Sequence, residues 1–341
     1  MQKDVIILNE ARNVSLTVYL QEIGGEFRHV AKRPAVLILP GGGYQMCSDR
    51  EADPVAMPYL AAGYQAFILR YSVAENAQWP NPLEDYEQAM SVIRSRAEEW
   101  NLYADKIAVI GFSAGGHLAA AAATMSKNRP NAAILGYAVV SNDVKGCNLS
   151  APDTVSAVDK NTCPCFLFSA RTDKIVHIVN SIDFIKALTE HDIAFESHIY
   201  AYGPHGFSTG DTSVQNPDTT EICARVPNWV QDSIGWLRDI FGEFGSEGIK
   251  PPICKAYVSA NHEPFLSINC TIGYLARNPA AKAILDNFLA KAKNDDSRHQ
   301  WSDGVNDVTR KMTLSGALSF MQVGKEVLSM LDGQLRKIPN A

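Results

Sequence analysis

Three residues carry the chemistry this chain could do: Ser113, Asp173 and His205, each lying just past the end of a run that reads as a strand. Ser113 sits in Gly111-Phe112-Ser113-Ala114-Gly115-Gly116-His117. Gly-x-Ser-x-Gly between a strand and a helix is a nucleophile elbow. The serine hydroxyl is presented on a sharp turn, and the glycines stand where a Cβ would collide with neighbouring backbone. A serine hydroxyl attacks a carbonyl only when a positioned base takes its proton and a carboxylate fixes the tautomer of that base. His205 and Asp173 provide the pair, in the Ser…Asp…His order that accompanies an elbow on a parallel α/β sheet. The chemistry implied is acyl transfer through a serine-bound intermediate.

An acyl transfer of this kind needs donors for the oxyanion. Pro40-Gly41-Gly42-Gly43-Tyr44 follows a continuous apolar run, Ala35 to Leu39, and three glycines let backbone N–H groups approach a ligand closely. The expected donors are the N–H groups of Gly42, Gly43 and Ala114, with the positive end of the elbow helix behind Ser113. Two rivals stand beside the main assignment. His177 lies near Asp173 in sequence, and Asp143 follows the strand after the elbow. Asp85 falls in the first turn of a helix, where a carboxylate favours the helix dipole, and reads as structural.

These residues require an alternating strand and helix framework. Val5–Leu8 and the alternating Val14–Leu20 read as an antiparallel edge hairpin. The runs 35–39, 65–69, 106–110, 132–140, 165–169 and 195–200 read as strands. Between them, 54–62, 83–100, 118–125, 178–190 and 226–241 read as helices. Strands alternating with helices mean a mostly parallel sheet covered on both faces, with chemistry at the carboxyl ends of the strands. Residues 143–162 lack periodicity and read as a loop or small cap over the site.

Composition agrees with a soluble globular chain: 341 residues, 46% hydrophobic and 20% charged. A formal net charge of −6 offers no basic footprint for nucleic acid. The seven cysteines form no paired Cys-x-x-Cys pattern, so they read as free thiols in a reducing compartment, and neither a metal nor any other cofactor is expected. The apolar run Val5–Leu8 is too short for a signal-peptide core and nothing approaches a membrane span. A cytoplasmic location is therefore the expectation, although a chain with its leader removed would read the same.

Taken together, Pro40-Gly-Gly-Gly-Tyr44, Arg70-Tyr71, Pro82-Leu83-x-Asp85, Gly111-Phe-Ser-Ala-Gly-Gly-His117, Asp173-x-x-Val176 and Gly203-Pro-His-Gly-Phe207 resemble the α/β-hydrolase esterases. The resemblance is to the hormone-sensitive-lipase-like and bacterial carbohydrate-esterase branch, above all its acetyl-xylan-esterase-like members, and covers roughly residues 1–245. It implies an α/β-hydrolase fold and deacetylation of xylan fragments or other acetylated sugars. It also implies that Tyr44, Met46, Tyr71 and Phe112 lie near the acyl or sugar pocket. A serine peptidase or amidase on the same triad, or a carboxylesterase acting on non-carbohydrate esters, stays open.

The esterase pattern ends near Phe244-Gly245-Ser246-Glu247-Gly248, ahead of Pro251-Pro252. The expected organisation is a catalytic domain over 1–245, a linker over 246–263 and a small helical domain over 264–341. In the last, Ala283, Ile284, Phe288 and Leu289 share one helix face. Leu318, Met321, Val327, Leu328 and Leu331 recur at helical spacing within 314–335, and Asn294-Asp295-Asp296 reads as a solvated loop. These helices are the expected place for a homo-oligomer or partner contact.

Overall fold

The computed structural model describes residues 1–215, 221–292 and 307–340. They divide into two compact units, Met1–Ala256 and Tyr257–Ala341. The division falls inside the segment read as a linker. Residues 246–256 go with the first unit, where Ala194 N–H donates to the Ala256 carbonyl.

In the first unit, β1 (Gln2–Asn9) and β2 (Val14–Leu20) form the edge hairpin. They are followed by β3 (Arg33–Leu39), α1 (Asp53–Ala61), β4 (Gln65–Arg70), α2 (Asn81–Ser95), β5 (Leu102–Phe112) and α3 (Ser113–Thr124). Then come β6 (Ala132–Gly136), β7 (Cys165–Ala170), α4 (Val179–Glu190), β8 (Phe195–Tyr200) and α5 (Asn228–Phe241). The sheet order is β1-β2-β4-β3-β5-β6-β7-β8. β1, β2 and β4 pair antiparallel, and every pairing from β4 through β3 to β8 is parallel.

The central strands are buried on both faces because they carry no polar alternation: all seven residues of β3 are inside. Val36 and Ile38 of β3, with Ile110 and Phe112 of β5, meet Val55 and Tyr59 of α1 and Trp229, Ile234 and Leu237 of α5. With a two-residue period, Leu37 and Val109 then face the opposite side, where α2 and α3 pack on one another.

Two elements are shorter than their patterns suggest. β6 stops at Gly136 because Tyr137, at φ 34°, leaves the extended region although its side chain stays buried. α2 stops at Ser95, and the next residues turn so that Asn101, at φ 51°, can feed β5. Asp85 is structural as expected. Fully buried, it accepts from Arg12 Nη2 at 2.5 Å and from Ser72 N–H at 2.8 Å, pinning the loop after β4 to α2.

The first unit ends in a short hairpin, β9 (Phe244–Gly245) and β10 (Gly248–Ile249). The second is helical: α6 (Ile272–Leu275), α7 (Pro279–Ala292), α8 (Asp307–Lys311), α9 (Leu314–Phe320) and α10 (Lys325–Leu335). Its core gathers Leu266, Cys270, Leu275, Leu318, Leu331 and Leu335, with Ile284 and Phe288 packed against it. Ala283 and Met321 are exposed rather than inward. The pattern over 314–335 resolves into two helices because Gln322, at φ 57°, and Gly324 break it. The Asn294-Asp295-Asp296 loop and the Leu289 side chain lie outside the described residues. Among the described residues no helix is long and apolar enough to cross a membrane.

Candidate active site

β5 runs straight into α3, and the turn between them is Ser113 itself, at φ 51°. A non-glycine residue held in the left-handed region costs of order 1–3 kcal/mol and persists only where the surroundings over-determine it. Here they do. A Cβ on Gly111 would stand 2.2 Å from the Gly115 carbonyl oxygen, and one on Gly115 would stand 2.2 Å from the Leu39 carbonyl oxygen and 2.4 Å from that of Pro40. The start of α3 is thus pressed onto the end of β3, and Ser113 occupies the bend that remains.

Three loops at the carboxyl ends of strands meet there. His205 Nε2 lies 2.8 Å from Ser113 Oγ, and His205 Nδ1 lies 2.7 Å from Asp173 Oδ2. The other carboxylate oxygen of Asp173 accepts from the N–H groups of Ile175 at 2.8 Å and Val176 at 3.0 Å. With its side chain fully buried and both oxygens engaged, Asp173 can only accept, so His205 Nδ1 carries a proton and Nε2 faces the serine as an acceptor. The rivals lie elsewhere. His177 is exposed, and Asp143, also exposed, accepts from Asn180 Nδ2 at 2.9 Å.

The triple-glycine loop lies beside the serine. Gly41 N–H donates to Glu51 Oε2 at 2.8 Å, whereas the N–H groups of Gly42 and Gly43 donate to nothing among the described residues. Ala114 N–H belongs to the first turn of α3, where no helical carbonyl can accept it. At Gly42 the backbone has φ 132° and a Cβ would stand 2.2 Å from the Met46 carbonyl oxygen, so only glycine fits. The loop is held from behind: Tyr71 hydroxyl donates to the Pro40 carbonyl at 2.6 Å, and Ala74 N–H to the Tyr44 carbonyl at 2.8 Å. The arrangement offers a nucleophile, a base with its orienting carboxylate, and beside them backbone donors with no acceptor among the described residues.

Three of the four residues expected to line a pocket do not. Tyr44, Tyr71 and Phe112 are all buried, and their rings belong to the interior. Tyr71 and Tyr44 support the glycine loop, and Phe112 packs edge-on to Phe168 and Trp229. Aromatic type and nearness in sequence to the elbow do not distinguish a wall from a foundation. Met46 alone is exposed, at 56%. Segment 143–162 holds one short 3-10 turn, Asn142–Gly146, and is otherwise irregular. It is tied down, with Asn148 Nδ2 donating to the Ala77 carbonyl at 2.7 Å and Trp79 N–H to Ser150 Oγ at 2.8 Å.

His117, on α3, joins these parts. Its Nε2 donates to the Pro152 carbonyl at 2.8 Å, which leaves Nδ1 to accept from the Tyr44 hydroxyl at 2.7 Å. Complete burial pushes its pKa down from 6.5 to about 4. Between those values the unfolded chain binds a proton that the folded chain does not. Unfolding free energy therefore falls as pH drops through that window, by about 3 kcal/mol from this residue, and the residue contributes no slope above it. Urea unfolding followed across the same pH range checks this, and the slope should shrink in His117→Gln.

Glu51 and Tyr137 also stand at the site, and neither belongs to the motifs above. The Glu51 carboxylate, besides holding Gly41, accepts from Tyr137 hydroxyl at 2.5 Å, and the Tyr137 ring lies edge-on to His205 with centroids 5.0 Å apart. The available signal was a carboxylate in Asp49-Arg50-Glu51 running directly into an apolar helix, and a tyrosine just past a strand end.

Residues 26–135 match the family model described as BD-FAE. The chain is 30% identical over 211 residues to endo-1,4-beta-xylanase B of Butyrivibrio fibrisolvens, covering 53% of this chain and 33% of that protein. It is 31% identical over 199 residues to an acetylxylan esterase of Xylanibacter ruminicola, covering 52% and 41%. The chain thus spans less than half the length of either relative. Among solved structures it is similar to MGS-M1, an alpha/beta hydrolase enzyme from a Medee basin deep-sea metagenome library. The two are 43% identical with a TM-score of 0.67, over 70% of this chain and 98% of that one.

Proposed function

Since the chain belongs to the α/β-hydrolase family, we propose that it is a serine esterase that removes short acyl groups, acetyl first among them, from carbohydrate esters such as acetylated xylan fragments. The observation that carries the reading is the hydrogen-bonded chain Ser113–His205–Asp173 beside two N–H groups, on Gly42 and Gly43, that have no acceptor among the described residues. Similarity to an acetylxylan esterase supports the acetyl and carbohydrate parts of it.

In the first half-reaction Ser113 Oγ attacks the ester carbonyl while His205 Nε2 takes its proton. The carbonyl π electrons pass to oxygen, and the N–H groups of Gly42, Gly43 and Ala114 receive that oxyanion. One such donor is typically worth about 2.7–4 kcal/mol of barrier. Collapse of the tetrahedral species breaks the bond to the alcohol, which leaves with the proton from His205. Water then repeats the sequence on the acyl-serine and releases the acid. Asp173 keeps the imidazole in the right tautomer and stabilises its charged form throughout.

The test is acetate release from acetylated xylooligosaccharides beside p-nitrophenyl acetate. Turnover of both is expected. Cleavage of peptide anilides with no cleavage of either ester would overturn the assignment, and cleavage of the small ester alone would remove its carbohydrate part.

A further inference from the structure

The oxyanion loop and the histidine loop come from opposite ends of the catalytic unit's sequence, and catalysis needs their separation held within a fraction of an ångström. One buried pair of side chains touches both. Glu51 is only 3% exposed. One of its carboxylate oxygens holds the N–H of Gly41, immediately before the free donors of Gly42 and Gly43. A Cβ on Gly41 would stand 2.7 Å from that oxygen and 3.1 Å from Ser113 Cβ, so the glycine is wedged between the carboxylate and the nucleophile's residue. The other oxygen accepts from Tyr137. Tyr137 oxygen in turn accepts from Ser208 N–H at 3.0 Å, three residues past His205, while the tyrosine ring packs against the imidazole and against Phe207. Ser208 Oγ closes the circuit by donating to the Arg50 carbonyl at 2.5 Å.

We propose that Glu51 and Tyr137 are positioning residues that clamp the oxyanion loop to the loop carrying His205. The inference rests on the esterase reading for what the two loops do. Glutamate is the residue that suits the place, because both of its oxygens accept. Glutamine would set an N–H₂ against either Gly41 N–H or the tyrosine hydroxyl, leaving one donor without an acceptor. Burial raises the Glu51 carboxyl above its ordinary range, while Tyr137, Gly41 N–H, His205 and Arg50 pull it back. The groups around His205 are Asp173 at Nδ1, Ser113 at Nε2, the Tyr137 ring, the Glu51 carboxylate, and the Arg50 guanidinium, whose Nη2 would lie 3.6 Å from a Cβ on Gly206.

The experiment compares wild type, Glu51→Gln, Tyr137→Phe and the double variant at a temperature where each is folded by circular dichroism. Two rates are read: p-nitrophenyl acetate turnover and phosphonylation of Ser113 by a fluorophosphonate. The second reports serine reactivity whichever ester is natural. Each single variant should lose about 10–100-fold in kcat and in labelling rate, with KM within about threefold. The double variant should lose little more than either single one, because the two act as a unit. A merely structural pair would lower the unfolding midpoint and leave kcat and labelling in place, which would overturn the clamp. Rapid labelling in wild type without ester turnover would count against the esterase reading, and the loss of labelling in the variants would still support the clamp.

Discussion

Ser113→Ala is expected to lower ester turnover by about 10⁶-fold while the protein unfolds at close to the wild-type midpoint. The loss is large because no neighbouring group can take the serine's place: the Gly42, Gly43 and Ala114 donors bind an oxyanion but form no bond to carbon. Residual catalysis should be what those donors and substrate binding provide by themselves, roughly 10³–10⁴ over water. Stability should hold because the substitution removes one oxygen from a partly open site and keeps the Cβ in the bend between Gly111 and Gly115. Paired measurements of p-nitrophenyl acetate hydrolysis and thermal unfolding check both halves. Turnover that survived the substitution would place the nucleophile elsewhere.

Asp173→Asn should cost about 10⁴-fold in kcat with little change in KM, and its cause is a proton in the wrong place. The asparagine oxygen can keep the N–H groups of Ile175 and Val176, so the loop keeps its shape. Its amide then points at His205 Nδ1 as a donor and drives the imidazole into the other tautomer, with the ring proton on Nε2 facing Ser113. A base that already carries the proton cannot receive one from the serine. Steady-state kinetics check the loss, and fluorophosphonate labelling should slow in parallel. A variant within tenfold of wild type would return Asp143, after β6, to consideration as the acid.

Much of this layout is readable from the chain because each feature has a local cause. Alternating runs give strand and helix, and Gly-x-Ser-x-Gly needs its glycines for contacts that follow from the turn itself. The order of Ser113, Asp173 and His205 past strand ends reflects the parallel topology. Glu51 and Tyr137 are not readable in this way. Their partnership spans distant parts of the chain, and neither residue type nor spacing announces it. The aromatic residues fail for the converse reason. Tyr44, Tyr71 and Phe112 lie beside the motifs in sequence, but which way a ring points depends on packing that no local pattern encodes. The break around Gln322 turns on a single residue in the left-handed region, which composition does not reveal.

The burial of those three aromatics also bears on how the enzyme could acquire new substrates. Phe112 is fixed by its ring neighbours, and Tyr44 and Tyr71 also by hydroxyl bonds to His117 and to the Pro40 carbonyl, so a change there damages the machinery before it alters preference. Four other large apolar side chains are exposed, three of them within a few residues of the machinery and one in the irregular segment. They are Met46 beyond the glycines, Ile175 beyond Asp173, Tyr202 ahead of His205, and Leu149 in the irregular segment. A combinatorial library confined to these four should yield a high fraction of folded, active clones with shifted selectivity. One spread over Tyr44, Tyr71 and Phe112 should yield mostly dead ones.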